Sequence, residues 1–436
     1  MNAANERGER ETAMSDGSVD IGHEARSSIY AEPLEALNPA RPDLFAADAM
    51  WPMFERLRAE SPVHFTPQSD YGPFWSISKY NDIMAVDTNH QVFSSSDGIA
   101  LPTLEGKAEA DSRPRRPSFI AMDPPRHDEQ RKAVSPVVAP ANLQRMGPII
   151  RERAGAILDA LPIGEEFDWV DLVSKELTAM TLATLFDFPF EDRRKLTHWS
   201  DVMTNAPGHG PVTSWEQKRT EIDECFGVFT ELWNERVNTE PKFDLISMLA
   251  HNEATRDMDR LEYYGNVGLL IIGGNDTTRN TISGSIYALN RHPAQYDKLR
   301  ADPSLIPSMV SETIRWQTPL AHMSRTAMRD IEFGGKTIRE GDKVLMWYVS
   351  GNRDDSVIDM PNDYIIDRAR PRNHLSFGFG VHRCVGNRLA ELQLTIIWEE
   401  ILKRFPSVEL AGEPLRTHSI FVKGYETLPV VIPQRT

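Results

Sequence analysis

The chain has 436 residues, enough to bury a large core, and 40% of its side chains are hydrophobic and 26% charged. A formal net charge of −16 argues against a general nucleic-acid binder, which needs a basic surface to displace phosphate counterions. The two cysteines, Cys225 and Cys384, exclude a disulfide framework and a multi-cysteine zinc site, and the longest strongly apolar stretch, around Val267–Ile272, is too short to span a bilayer.

The N-terminus is acidic and has no apolar segment of the secretory type, so a cytoplasmic, reducing setting is expected. Residues 1–40 read as a flexible lead-in, and residues 41–436 as one domain. Ala49–Ala59 reads as an amphipathic helix, followed by short strands Val63–Thr66 and Phe74–Ser78 around a turn at Asp70–Pro73. Residues 94–125 read as a long loop, with a helix beginning near Arg126 after Pro124–Pro125. Several helices fill 144–237, where Cys225 sits at helical spacing as a buried residue and Asn205–Ser214 forms a connector.

Leu261–Arg291 is a long helical run, and Pro307–Trp316 a shorter one. Strand material follows at Ile331–Phe333, Lys336–Ile338 and Val344–Val349. A glycine-rich loop at 376–386 feeds a last helix, Asn387–Arg404, and Ser419–Ile432 reads as a β-hairpin around Lys423–Gly424. The sum is a mainly α domain with a small β region.

Four constellations carry chemistry. In the loop Phe377–Gly386, Cys384 lies beside backbone N–H groups and a helix N-terminus, which stabilise an anionic sulfur suited to a soft or redox-active metal. The other reading is a structural loop with a buried thiol. In the long helix, Gly273 and Gly274 cost about 1 kcal/mol each relative to alanine, which a helix seldom carries without reason. Thr277 stands four residues after Gly273, so its hydroxyl can bond that carbonyl, and Asp276 beside it makes an acid–hydroxyl pair for proton delivery. The other reading is a capping motif at a helix break. Glu312 and Arg315 share a helix face and can pair, although such pairs are common on surfaces. His127, Arg131, Arg325 and His382 are donors that together can meet two carboxylates of a cofactor.

These features, in this order, resemble the cytochrome P450 superfamily from about residue 45 onward. Phe377-x-x-Gly380-x-x-x-Cys384-x-Gly386 resembles its haem-binding loop, Gly273-Gly274-x-Asp276-Thr277-Thr278 its oxygen-binding helix, and Glu312-x-x-Arg315 its buried ion pair. The resemblance implies haem b held between the distal long helix and the proximal cysteine loop, with Cys384 as the iron ligand. It implies catalytic roles for Asp276 and Thr277 in oxygen activation, cofactor contacts from His127, Arg131, Arg325, Phe377, His382 and Gly386, and structural roles for Glu312 and Arg315. Arg368 or Arg370 is then the third member of the ion pair.

The string GGNDTTRNTISGS, with PLAHMSRTA and FGFGVHRCVGNRLAE, is similar to the bacterial branch that hydroxylates the terminal (omega) carbon of medium-chain alkanes and fatty acids. The branch implies NADH electrons arriving through a ferredoxin reductase and a ferredoxin, and a monomeric enzyme acting on a small alkyl substrate and O2. Leu269, Ile272, Gly273, Leu320, Ala321, Met323, Ile420 and Phe421 are the candidate substrate-binding residues, with Ile99, Leu101 and Leu104 of the long loop; each can instead be core. An apolar wall suits an alkyl chain, at roughly 0.8 kcal/mol per buried methylene. Arg126, Lys132, Arg383 and Arg388 make a local basic patch where an acidic ferredoxin can dock, or are ordinary surface charges. Hydroxylation of a terpenoid or other apolar substrate, and peroxide-driven turnover, are the alternatives on the same fold.

Overall fold

The computed structural model describes residues 26–436. The expected lead-in over 1–25 lies outside the described residues. Residues 26–40 pack against the body instead: Ile29 and Leu37 are buried in a cluster with Phe45, Phe54 and Trp347, because even a polar segment orders when two apolar side chains find a core.

Helices dominate. They include Trp51–Glu60, Tyr80–Thr88, Arg126–Val134, Pro140–Asp159, Glu176–Phe186, Arg193–Thr204, Trp215–Arg236, Arg260–Arg291, Ile306–Gln317 and Asn387–Arg404. The 32-residue helix Arg260–Arg291 runs through the centre, buried along most of its length. Asp259 starts it by accepting the Glu262 N–H at 2.9 Å. The largest apolar cluster gathers around this helix, with Leu177, Trp199, Ile286 and Trp398 among its fully enclosed members. Thr318 (φ 43°) adopts the left-handed conformation that ends Ile306–Gln317 and turns the chain toward the β region.

The main sheet has five strands in the order Val63–Thr66, Phe74–Ile77, Lys343–Met346, Met323–Ala327 and Phe93–Ser94. Arg325 pairs with Val344 across it. Ile331–Phe333 and Lys336–Ile338 form the expected hairpin.

Three expectations are corrected. The 94–125 segment is not all loop: Leu104–Asp111 is a helix, because Thr103 caps it by accepting the Gly106 N–H at 3.0 Å. The strand after Asp342 stops at Met346, and Tyr348–Gly351 turns helically. The tail is no hairpin around Lys423–Gly424. Tyr425–Thr427 pairs with Leu415–Arg416, and Pro429–Val431 lies between Glu166–Asp168 and Glu409–Leu410. Gly424 sits so close to the long helix that a Cβ there would be 2.4 Å from the Asn280 side chain.

Candidate active site

The site lies between the long helix and the loop before Asn387–Arg404. Cys384 donates its backbone N–H to the Phe377 carbonyl at 2.8 Å, which folds the loop back on itself. Gly378 (φ 64°) and Gly380 (φ 66°) permit that path, since both hold left-handed conformations that side chains disfavour. The Cys384 side chain has exposed surface, yet burial is the largest influence on its thiol and raises its pKa. Both hold together when a side chain faces an internal space rather than bulk water. The N–H groups of Gly386 and Asn387 and the cations Arg131 and Arg383 act the other way, favouring the thiolate.

The donors foreseen in the sequence converge. His127 and His382 lie with ring centroids 4.3 Å apart, both buried, and three of their ring nitrogens have no hydrogen-bond partner (Nε2 of His127, Nδ1 and Nε2 of His382). Burial, with Arg325 and His127 next, pushes the His382 pKa down to about 2. Arg131 donates to the Arg383 carbonyl, next to Cys384. Buried polar nitrogens without partners are costly, so this cluster fits a ligand bearing anionic oxygens. With a soft sulfur nearby, the donor set fits haem.

On the long helix, Gly273 and Thr277 keep accessible surface, although most of the helix is buried. A Cβ on Gly273 would meet nothing within 4 Å, whereas one on Gly274 would lie 2.6 Å from Cδ2 of Leu182. The two glycines thus serve different ends: one leaves room at the site, the other admits a neighbouring helix. The Thr277 hydroxyl donates to the Gly273 carbonyl at 3.1 Å, the bond its spacing foretells, and the helix continues without a break. Asp276 is buried; its Oδ1 accepts from the Ser200 hydroxyl at 2.9 Å and lies 3.1 Å from Arg279, while Oδ2 has no partner. Burial raises its pKa, and Arg279 partly offsets this.

Among the apolar candidates, Leu269, Ile272, Leu320, Met323 and Phe421 keep some accessible surface. Ala321 and Ile420 do not: both are enclosed in the cluster with Phe45 and Trp347, so they back the wall as core. Leu101 joins the same core, and Leu104 is 56% exposed on its helix.

Glu312 and Arg315 form a buried pair through two bonds of 2.8 Å, not a surface pair. Arg368 closes the triad at 2.9 Å to each carboxylate oxygen, which decides between Arg368 and Arg370. Sequence reasoning missed Asp87, Ser200 and Asp201. Asp201 pairs with Arg279 beside Asp276, and no local pattern marks it, because its partner is far along the chain.

The comparisons with known proteins agree with this geometry. The cytochrome P450 family model matches residues 213–420. The chain is 36% identical over 397 residues to linalool 8-monooxygenase of Pseudomonas putida, covering 90% of this chain and 97% of that protein. It is 32% identical over 396 residues to methyl-branched lipid omega-hydroxylase of Mycobacterium tuberculosis, covering 86% of this chain and 90% of that protein. Its fold superposes on cytochrome P450-153 of Novosphingobium aromaticivorans with a TM-score of 0.82 at 42% identity, over 91% of this chain and 99% of that one. No helix among the described residues is long and apolar enough to cross a membrane. Similar over nine-tenths of its length to a named monooxygenase, and carrying a donor set that fits haem, the chain belongs to the cytochrome P450 family and is one of its monooxygenases.

Proposed function

We propose that this monooxygenase hydroxylates the terminal carbon of medium-chain alkyl substrates, alkanes or fatty acids, with NADH electrons delivered by a ferredoxin reductase and a ferredoxin. The observation that carries the reading is the open space at Gly273, where an added Cβ would meet nothing within 4 Å, together with the accessible apolar surface kept by Leu269 and Ile272 on the same helix and by Leu320, Met323 and Phe421. Apolar contacts are nearly blind to position along a chain, so shape at the reacting end must select the carbon. Gly273 and Leu320 are the residues assigned to that selection. The relative named for omega-hydroxylation of lipids supports this reading.

Cys384 would ligate the haem iron, His127, Arg131, Arg325 and His382 would hold its carboxylates, Phe377 would pack beside the sulfur, and Gly386 would allow close approach. When bound, the haem supplies the oxygen chemistry, placing one atom of O2 in a C–H bond and the other in water. The protein's own part is positioning and proton supply. Asp276 keeps its proton to higher pH than an ordinary carboxyl and has one oxygen free to pass it on. Thr277 holds a hydroxyl at the open face next to it. Such an acid–hydroxyl pair fits reductive activation of O2 and is not needed for turnover driven by peroxide. Arg126, Lys132, Arg383 and Arg388 are exposed, the last two beside Cys384 in sequence and Arg126 paired with Glu262, and they would steer an acidic ferredoxin.

The similarity to linalool 8-monooxygenase favours a second reading, a terpenoid substrate in the same pocket. A spin-state titration separates the two. Linear alkanes, alcohols and fatty acids of graded length are expected to shift the haem absorption, with affinity rising by about fourfold per added methylene until the pocket is full. Tight binding of linalool with no response to any linear chain would establish the terpenoid reading instead.

A further inference from the structure

Asp87 lies in the last turn of the helix Tyr80–Thr88 and is only 2% exposed, yet no local motif singles it out. Its carboxylate receives three donors from three separate parts of the chain. Arg325 Nη2 donates to Oδ1 at 2.7 Å; the Tyr348 hydroxyl and the Phe379 backbone N–H donate to Oδ2 at 2.9 and 2.8 Å. Its main chain matters as well. A Cβ on Gly380 would lie 2.8 Å from the Asp87 carbonyl oxygen, and one on Gly378 would lie 3.3 Å from Oδ2. The turn Gly378–Gly380, which leads into Cys384, is therefore seated directly on Asp87.

Arg325 is fixed from two sides. Nη1 donates to the Ser324 carbonyl at 2.9 Å and Nη2 to Asp87, so two of its five N–H donors set the orientation in which the others are offered. The side chains of Arg325 and Asp87 are 3% and 2% exposed, so the ion pair is shielded from screening by salt.

We propose that Asp87 is a positioning residue for the haem, acting at two points at once: it holds Arg325 for a haem carboxylate and seats the turn that presents Cys384. The inference rests on the roles proposed above for Arg325 and Cys384. An amide in place of the carboxylate keeps an acceptor on one side only, so its NH2 opposes either Arg325 or the Tyr348 and Phe379 donors, and it leaves the buried guanidinium without its counter-charge. Haem retention and thiolate ligation should then weaken together.

The test compares Asp87→Asn with wild-type holoprotein in two readouts, the rate of haem transfer to excess apomyoglobin and the thiolate signature of the reduced carbon-monoxide difference spectrum. Cys384→Ser gives the reference for complete loss of that signature. Asp87→Asn is expected to release haem at least about tenfold faster, the scale of a hydrogen bond to a charged group, and to lose part of the signature. If it lowers the unfolding midpoint while both haem readouts stay at wild-type values, Asp87 serves the fold alone and the proposal is wrong. Tyr348→Phe removes one donor without stranding a charge, which covers the case in which Asp87→Asn does not fold. It should move both readouts in the same direction by roughly two- to tenfold, and no movement in either would overturn the proposal. A wild-type protein lacking the thiolate signature would instead overturn the assignment of Cys384, and this inference with it.

Discussion

Asp276 and Arg279 stand one turn apart on the central helix, with Oδ1 and Nη2 separated by 3.1 Å, and Arg279 reaches past Asp276 to pair with Asp201. The acid assigned to proton delivery is thus tethered on one oxygen and free on the other.

Replacing Asp276 with asparagine is expected to slow product formation by on the order of a hundredfold, the usual scale for loss of a positioned acid–base group, with haem binding intact. The same change alters stability in a pH-dependent way. The folded-state pKa of Asp276 is raised above 3.8 by burial, so the fold favours the protonated form. Its stabilising contribution is full below that value and is lost as pH rises through the folded pKa. The Asp276→Asn variant should therefore gain in unfolding midpoint relative to wild type as pH rises, and a constant difference across the pH series would refute the burial argument.

Thr277→Ala removes the hydroxyl from the open face. NADH consumption should continue at a similar rate while product falls severalfold and hydrogen peroxide accumulates, read by oxygen and peroxide balance. Coupling equal to wild type would remove Thr277 from the proton path.

The two glycines of the helix should separate stability from selectivity. Gly274→Ala forces a methyl against the buried Leu182 and is expected to cost about 1–3 kcal/mol. The Cβ added by Gly273→Val meets no neighbouring atom within 4 Å, so the substitution should leave stability near wild type apart from helix propensity and change which carbon is oxidised. Thermal unfolding and product analysis of the pair decide this.

Glu312 is fully buried, and its one carboxylate accepts hydrogen bonds from both Arg315 and Arg368. Glu312→Ala strands two cations in the interior and should destabilise the protein by about 3–5 kcal/mol, enough to abolish soluble holoprotein at physiological temperature. Recovery of folded protein with ordinary stability would show that water or the nearby carbonyls suffice.

What the sequence made legible were features whose meaning is local. Gly273, Asp276 and Thr277 sit within one helical turn or so of each other, and Cys384 stands in a loop with its own glycines. The Glu312–Arg315 spacing gives a shared face, but only the fold shows that the face is buried and that Arg368, not Arg370, completes it. Asp87 was invisible because its partners Arg325, Tyr348 and Phe379 are more than two hundred residues away, and a buried carboxylate reads in sequence like any aspartate in a last helical turn. The tail was misread for the same reason: Pro429–Val431 takes its partners from Glu166–Asp168, which no turn signal connects to it. Ala321 and Ile420 show the remaining limit, since apolar residues beside a pocket and apolar residues behind it look alike in one dimension.

The measurement that bears most directly on the account is product regiochemistry with a linear medium-chain substrate, using the holoprotein with ferredoxin, ferredoxin reductase and NADH. The account predicts that the terminal alcohol is the main product and that Gly273→Val changes the ratio of terminal to internal alcohols. Predominantly internal alcohols from the wild-type enzyme, or oxidation of linalool with no product from any linear chain, would contradict it.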